Sequence, residues 1–268
     1  MIELHKYSGA GNDFVVLDGR TEDVSEFRTA GRIAALCDRR TGFAAADGRI
    51  GADGLMILTD DPDYDFRMEY YNSDGSGGMM CGNGGRCIVA FADALGLKPA
   101  DGRVFRFVAA DGEHTGEILV RKGDCKTVRL RMIDVQEFHP ALDGWFLDTG
   151  TRHFVRFVPD VEMIDVETEG RQARWDPLFA PIGANANFVS VDSDGTLRVR
   201  TFEKGVEAET LACGTGITAS AIAAYLTSAR KSTRYDIQAR IARLSVDFVP
   251  GKDCFTDVYL TGPADEIR

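Results

Sequence analysis

The feature that most limits what this chain can fold into is a four-residue pattern that occurs twice, Cys81-Gly82-Asn83-Gly84 and Cys213-Gly214-Thr215-Gly216, 132 residues apart in a chain of 268. Each copy runs into a segment of helical length with almost no charge. From about Gly84 to Leu95 only Arg86 and Asp93 are charged, and Gly96 with Pro99 beyond it supplies the stop. From about Gly214 to Ala229 no charge occurs, and Arg230-Lys231 follow where cations complement a helix C-terminus. A helix that is apolar round its whole circumference needs cover on every side. The cover is at hand in short segments with strand character: Phe14–Leu17, Gly54–Leu58, Asp65–Tyr71, Val104–Ala109, Glu117–Arg121, Val128–Met132, His153–Val158, Phe188–Asp192, Thr196–Phe202, Arg243–Phe248 and Asp257–Leu260.

These segments predict an α+β fold of two pseudo-symmetric domains, each a mostly antiparallel sheet wrapped round a central buried helix, produced by internal duplication. At 268 residues the chain exceeds the usual single domain of roughly 100–150. The expected halves are 1–123, carrying Cys81, and 124–268, carrying Cys213, with a boundary near Lys122-Gly123-Asp124 and a last strand free to cross back to the first domain. A third helix, amphipathic, is expected from Ser25 to about Arg39 with Ser25 as its N-cap.

A helix N-terminus carries unpaired N–H groups and a partial positive charge, so it binds carboxylates and favours a neighbouring thiolate. Cys-Gly-x-Gly adds a thiol and removes the Cβ atoms that would keep a ligand off the main chain. Doing this twice suits one ligand held between two helices. Inverting a tetrahedral carbon needs a base on one face and an acid on the other, and two opposed cysteines supply both without a cofactor. The other four cysteines, Cys37, Cys87, Cys125 and Cys254, lie in or beside apolar segments and read as packing residues.

Other classes of function lack support. A net charge of −11 repels phosphate backbones, so nucleic acid is not an expected partner. No apolar run approaches the roughly 20 residues needed to span a bilayer, and the N-terminus has no signal-peptide stretch, so no membrane partner and a cytoplasmic location are expected. Neither a Cys-x-x-Cys nor a His cluster is present, and no metal is expected.

The same residues carry a resemblance along nearly the whole length. Gly9-Ala10-Gly11-Asn12-Asp13-Phe14, Gly51-Ala52-Asp53-Gly54, Tyr71-Asn72-Ser73-Asp74-Gly75, Met80-Cys81-Gly82-Asn83-Gly84-Gly85-Arg86-Cys87, Asn185-Ala186-Asn187-Phe188 and Glu209-Thr210-Leu211-Ala212-Cys213-Gly214-Thr215-Gly216 follow one another in order. With these motifs the chain resembles bacterial diaminopimelate epimerase. That resemblance implies an active site in a cleft between two domains, where LL- and meso-diaminopimelate interconvert for lysine and cell-wall synthesis without a cofactor. It implies Cys81 and Cys213 as base and acid, the backbone N–H groups of Gly82, Asn83, Gly214 and Thr215 as carboxylate holders, and Asn12, Asn72 and Asn185 as substrate ligands. It further implies His153 and Glu203 as flanking support, Glu203-Lys204 beside the substrate, and a homodimer. Taken alone, Asn12 and Asn72 would pass as turn residues, His153 as a satisfied core histidine, and Glu203-Lys204 as a solvated turn.

Three departures bear on the substrate. Thr151-Arg152 precede His153 where the resemblance leads one to expect Asn-Pro, and Lys204 stands in place of Arg, a point charge for a planar fork. A stretch at about Phe43 to Arg49 is additional. Two alternatives follow: a racemase or isomerase of the same fold acting on proline, hydroxyproline or another amino acid, and a non-catalytic binding protein that keeps the anion-holding helix starts.

Overall fold

The structure, a computed structural model, describes residues 2–78, 81–229 and 231–268. Met80 and Arg230, singled out above, lie outside the described residues. Contacts divide the chain into two units, one comprising the chain up to Leu130 together with Gly262–Arg268, the other Arg131–Thr261. The first unit holds β1 (His5–Gly9), β2 (Asn12–Asp18), α1 (Ala30–Cys37), β3 (Gly54–Thr59), β4 (Phe66–Asn72), α2 (Gly82–Ala94), β5 (Val104–Ala109), β6 (Gly112–Lys122) and β7 (Cys125–Arg131). The second holds β8 (Phe138–Ala141), β9 (Gly144–Asp148), β10 (Arg152–Phe157), α3 (Val166–Arg174), β11 (Asn185–Val191), β12 (Leu197–Glu203), β13 (Ala208–Thr210), α4 (Gly214–Thr227), β14 (Arg234–Gln238) and β15 (Arg243–Pro250). A last strand, β16 (Phe255–Glu266), begins in the second unit and from Gly262 onward belongs to the first.

In the first unit the strands pair in sequence order from β1 to β7, then to β16, and β16 pairs back to β1, so the sheet closes on itself. The β2–β3 and β4–β5 pairs are parallel and the rest antiparallel. The second unit repeats the scheme: in the run β8-β9-β10-β11-β12-β14-β15-β16 the parallel pairs are β10–β11 and β12–β14. Parallel neighbours cannot be joined by a tight turn and need a crossover. Sequence and topology meet here, because α2 supplies the crossover between β4 and β5 and α4 the one that ends in β14.

Both crossover helices are buried. In α2 every residue from Gly82 to Ala92 is covered, including Arg86, whose guanidinium donates to Gly82 O at 3.1 Å, Asn83 Oδ1 at 2.8 Å and Pro263 O at 3.2 Å. A buried cation is tolerated when its donors are matched in this way. Gly9 lets β1 approach this helix, since a Cβ there would lie 2.8 Å from Asn83 O. In α4 the buried hydroxyls of Thr218 and Ser220 turn back onto Gly214 O and Gly216 O at 3.0 and 2.7 Å, so neither is left bare among apolar neighbours. At its C-terminus Lys231 Nζ donates to Tyr225 O and Leu226 O.

Several sequence expectations need correction. The helix expected over Ser25 to Arg39 is broken: a 3-10 turn at Ser25–Arg28 is followed by extended Thr29, which caps α1 by accepting from Arg32 N at 3.4 Å. Lys122-Gly123-Asp124 is not the division between the units but the turn of the β6–β7 hairpin, and the division falls between Leu130 and Arg131. Helix α3 was not expected. Its sequence has no apolar stripe, and it meets the sheet through Val166, Gly170 and Arg174, with so little clearance that a Cβ on Gly170 would sit 2.4 Å from Phe202 Cβ. Strands β1, β8, β9, β13 and β14 are further additions. The additional stretch at 43–49 forms a small turn in which Ala45 N donates to Arg49 O at 3.0 Å, and the buried Lys6 ammonium reaches Arg49 O and Gly51 O.

Candidate active site

In the first unit Cys81 is the N-cap of α2, in extended conformation, and its Sγ accepts from Gly84 N at 3.2 Å. Hydrogen bonding to sulfur favours the charged thiolate. Beside it Asn83 donates to Asn12 Oδ1 at 2.6 Å and accepts from Arg86, while Asn12 Nδ2 donates to Asp53 Oδ2 at 2.9 Å. Asp53 is shared with Arg39, which also pairs with Asp13 at 2.7 Å; Lys6 pairs with Asp13 from the other side at 2.9 Å. Burial pushes the Asp13 carboxyl up, but Arg39 and Lys6 outweigh it and hold it below the usual carboxylate range. Asn72 is drawn into its own turn, donating to Ser76 Oγ at 3.0 Å. Cys81, Gly82, Asn83 and Asn12 therefore form one cluster, and Asn72 sits at the end of β4.

In the second unit Cys213 is the N-cap of α4 and is 9% exposed. Its Sγ lies 3.4 Å from Thr215 Oγ1, which is 3.0 Å from His153 Nε2. The far side of that ring, Nδ1, is 3.1 Å from Asn187 Nδ2. Thr149 Oγ1 donates to Thr215 O at 3.0 Å and steadies the helix start. Glu203 accepts from Thr210 Oγ1 and lies close enough to Cys213 to act on its thiol. Asn185 ties two chain segments together, accepting from Lys204 N at 2.8 Å and donating to Arg152 O at 3.0 Å and Thr151 Oγ1 at 3.4 Å. Thr151 thus engages Asn185, while the Arg152 guanidinium lies 6.0 Å from the Phe146 ring. His153, Glu203, Cys213, Gly214 and Thr215 form one cluster, with Asn185 and Lys204 adjoining.

The electrostatics of this cluster correct one expectation. Burial pushes the Cys213 thiol well above its ordinary value, and the Glu203 carboxylate pushes the same way; Thr215 and the Gly216 N–H pull it back only in part. A helix start alone does not make this sulfur a thiolate. His153 moves the opposite way, down to about 3, because burial and the Lys204 charge disfavour the imidazolium. It is a neutral ring at physiological pH.

All six cysteines are thiols. Cys37 and Cys87 are buried as packing residues, and burial raises both, Cys37 to about 11. Cys125 and Cys254 depart from that expectation: Cys125 is exposed at the start of β7 and Cys254 is half-buried. Among the described residues no group of three or more His, Cys, Asp or Glu side chains could hold a metal ion, and no helix is long and apolar enough to cross a membrane. Asp53, Asn187 and Thr149 were not expected at the site. For Asn187 a signal existed, since it follows Asn185 by two and so lies on the same face of β11.

Comparison with known proteins gives this geometry a context. The family model described as diaminopimelate epimerase matches residues 4–119 and 145–264. The chain belongs to the diaminopimelate epimerase family. Each matched stretch contains one Cys-Gly-x-Gly helix start. Among curated relatives, the diaminopimelate epimerase of Flavobacterium psychrophilum is 41% identical over 99% of this chain and 98% of its own length, and that of Chlorobaculum tepidum is 38% identical over 97% of each. As a member of this epimerase family the chain is an isomerase. Solved structures share its fold at low identity: a PhzF-family phenazine biosynthesis protein of Bacillus anthracis has a TM-score of 0.74 at 13% identity, covering 100% of this chain and 97% of that one. A probable proline racemase of Agrobacterium radiobacter has a TM-score of 0.68 at 17% identity, covering 98% and 90%.

Proposed function

We propose that this chain interconverts LL- and meso-diaminopimelate in lysine biosynthesis, with Cys81 and Cys213 alternating as base and acid. The observation that carries the reading is the pair of Cys-Gly-x-Gly helix starts, one in each matched half, within a chain 41% identical to a named diaminopimelate epimerase. Cys213, kept protonated by burial and Glu203, is the donor of the resting protein. Cys81, whose sulfur accepts the Gly84 N–H, is the first base, and the reverse reaction swaps the roles. The N–H groups of Gly82, Asn83, Gly214 and Thr215 hold the reacting carboxylate, where fixed dipoles offset charge that develops as the α-proton leaves. Asn12, Asn72 and Asn185 bind the substrate's polar groups, Lys204 lies toward the distal amino-acid group, and His153 and Glu203 tune the thiols.

The test is incubation with LL-diaminopimelate in deuterated water. The expected products are the meso isomer and α-deuterated substrate. Turnover of proline alone would overturn the substrate, and absence of exchange with every amino acid tried would favour a binding protein. Cys81→Ala and Cys213→Ala should each lower turnover by about 10²–10⁴-fold, the usual worth of one positioned acid or base. A homodimer, implied by the resemblance, is read by sedimentation velocity, where a species of monomer mass at working concentration would set it aside.

A further inference from the structure

Asn187 has no part in the reading above, yet both ends of its side chain are fixed in a fully buried place. Its Nδ2 lies 3.0 Å from Phe154 O, and a carbonyl only accepts, so this atom is the nitrogen. Its Oδ1 accepts from Thr201 Oγ1 at 2.9 Å. The amide therefore presents an N–H to His153 Nδ1 at 3.1 Å, and that ring nitrogen must be the acceptor. A neutral imidazole with an unprotonated Nδ1 carries its proton on Nε2. Nε2–H then donates to Thr215 Oγ1, and the hydroxyl's own proton faces its other neighbour, Cys213 Sγ.

We propose that Asn187 is a positioning residue that holds His153 in its Nε2–H form, so that Thr215 aims its hydroxyl proton at Cys213 and receives the thiolate left when that thiol gives up its proton. With the opposite tautomer Thr215 would donate to the ring and turn a lone pair toward the sulfur, and the thiolate would lose a donor. The second glycine of the motif follows from this arrangement. A Cβ on Gly216 would sit 2.3 Å from Asn187 Oδ1, so the space that glycine leaves is taken by this amide. A Cβ on Gly84, the matching glycine of the first unit, would instead meet the sulfurs of Cys81 and Met56 and the Met68 methyl at 3.3–3.5 Å. The two cysteines are thus served differently: Cys81 accepts a main-chain N–H, whereas Cys213 has, besides the Gly216 N–H, a hydroxyl at the end of a side-chain relay.

The inference rests on Cys213 being an acid or base, and its test is chosen to stand apart from turnover. Nitrogen NMR of ¹⁵N-histidine-labelled protein at neutral pH should show His153 protonated on Nε2 and bare on Nδ1; a proton on Nδ1 overturns the proposal. Alkylation of Cys213 by iodoacetamide, followed by peptide mass spectrometry across the pH range in which the thiol ionises, reads the last link. Thr215→Val should move the profile up by about one pH unit, about tenfold slower labelling at a given pH below it, with Thr215→Ser restoring it. Asn187→Leu should move it the same way while the NMR signal of His153 changes tautomer. A Thr215→Val profile that overlies the wild type overturns the relay, whether or not Asn187→Leu folds. Failure of the deuterium exchange test would instead remove the epimerase reading and leave these profiles as they are.

Discussion

At the start of α4 a single hydrogen atom separates two outcomes. The 2.3 Å approach of Asn187 Oδ1 to the space beside Gly216 predicts that Gly216→Ala loses about 1–3 kcal/mol by overpacking, measured by urea unfolding. Gly31, exposed in α1 with open space around it, is the control: Gly31→Ala should gain up to about 1 kcal/mol from helix propensity. Equal effects at the two sites would contradict the packing argument. His153 couples stability to pH. Its folded-state pKa of about 3 lies below the ordinary imidazole value of 6.5, so in acid the unfolded chain takes a proton that the folded one refuses. Stability is therefore whole above about pH 6.5 and falls as pH drops toward 3, by up to about 1.4 kcal/mol per pH unit from this group. His153→Gln should flatten the slope between neutral and mildly acid pH; an unchanged slope refutes it. The sequence made the cysteines readable because their glycine context repeats, whereas Asn187 and Thr149 act through partners distant in the chain and carry no repeated mark.

Among the elements, α2 and α4 were readable because an apolar helix has few alternatives, and their observed bounds differ from expectation by only a few residues. Helix α3 was hidden because Val166 and Ala173 are the apolar side chains it turns to the sheet, beside Gly170 and the stem of Arg174, too few for hydrophobic periodicity to mark. The β1–β2 pair is likewise anchored by charge. Lys6, with a side chain wholly covered, joins Asp13 to the carbonyls of the 43–51 turn, and Asp13 and Asp53 in turn engage Arg39. Removing one partner of a buried pair leaves the other charge without its match. Lys6→Met should therefore cost about 3–5 kcal/mol in urea unfolding. A loss under about 1 kcal/mol, the worth of a surface pair, would show that Asp13 is adequately served by Arg39 alone.

Across the whole molecule the duplication was visible in two short motifs, and the strand order bears it out, with parallel pairs at matching places in each unit. The dividing point was not visible, because a Gly-Asp hairpin turn and a linker look alike in composition. Nor could the pairing of Gly262–Asp265 with β7 be read from β16 itself, since a strand's partners are set by what is left unpaired. A chain ending at Thr261 would strip β7 and β1 of a neighbour and Arg86 of the Pro263 carbonyl. Hydrogen exchange in β1 and β7 should then speed up by orders of magnitude, as for amides released to an open sheet edge; protection equal to the full-length chain would contradict the closed arrangement.

The return of β16 also sets an order of assembly. Ribosomes issue the chain from its N-terminus, and the strand that closes the first unit is made only after every residue of the second. The unit begun first is thus the one finished last. Until then β1 and β7 stand as unprotected edges, which makes this stage of synthesis the point where a chaperone would matter most.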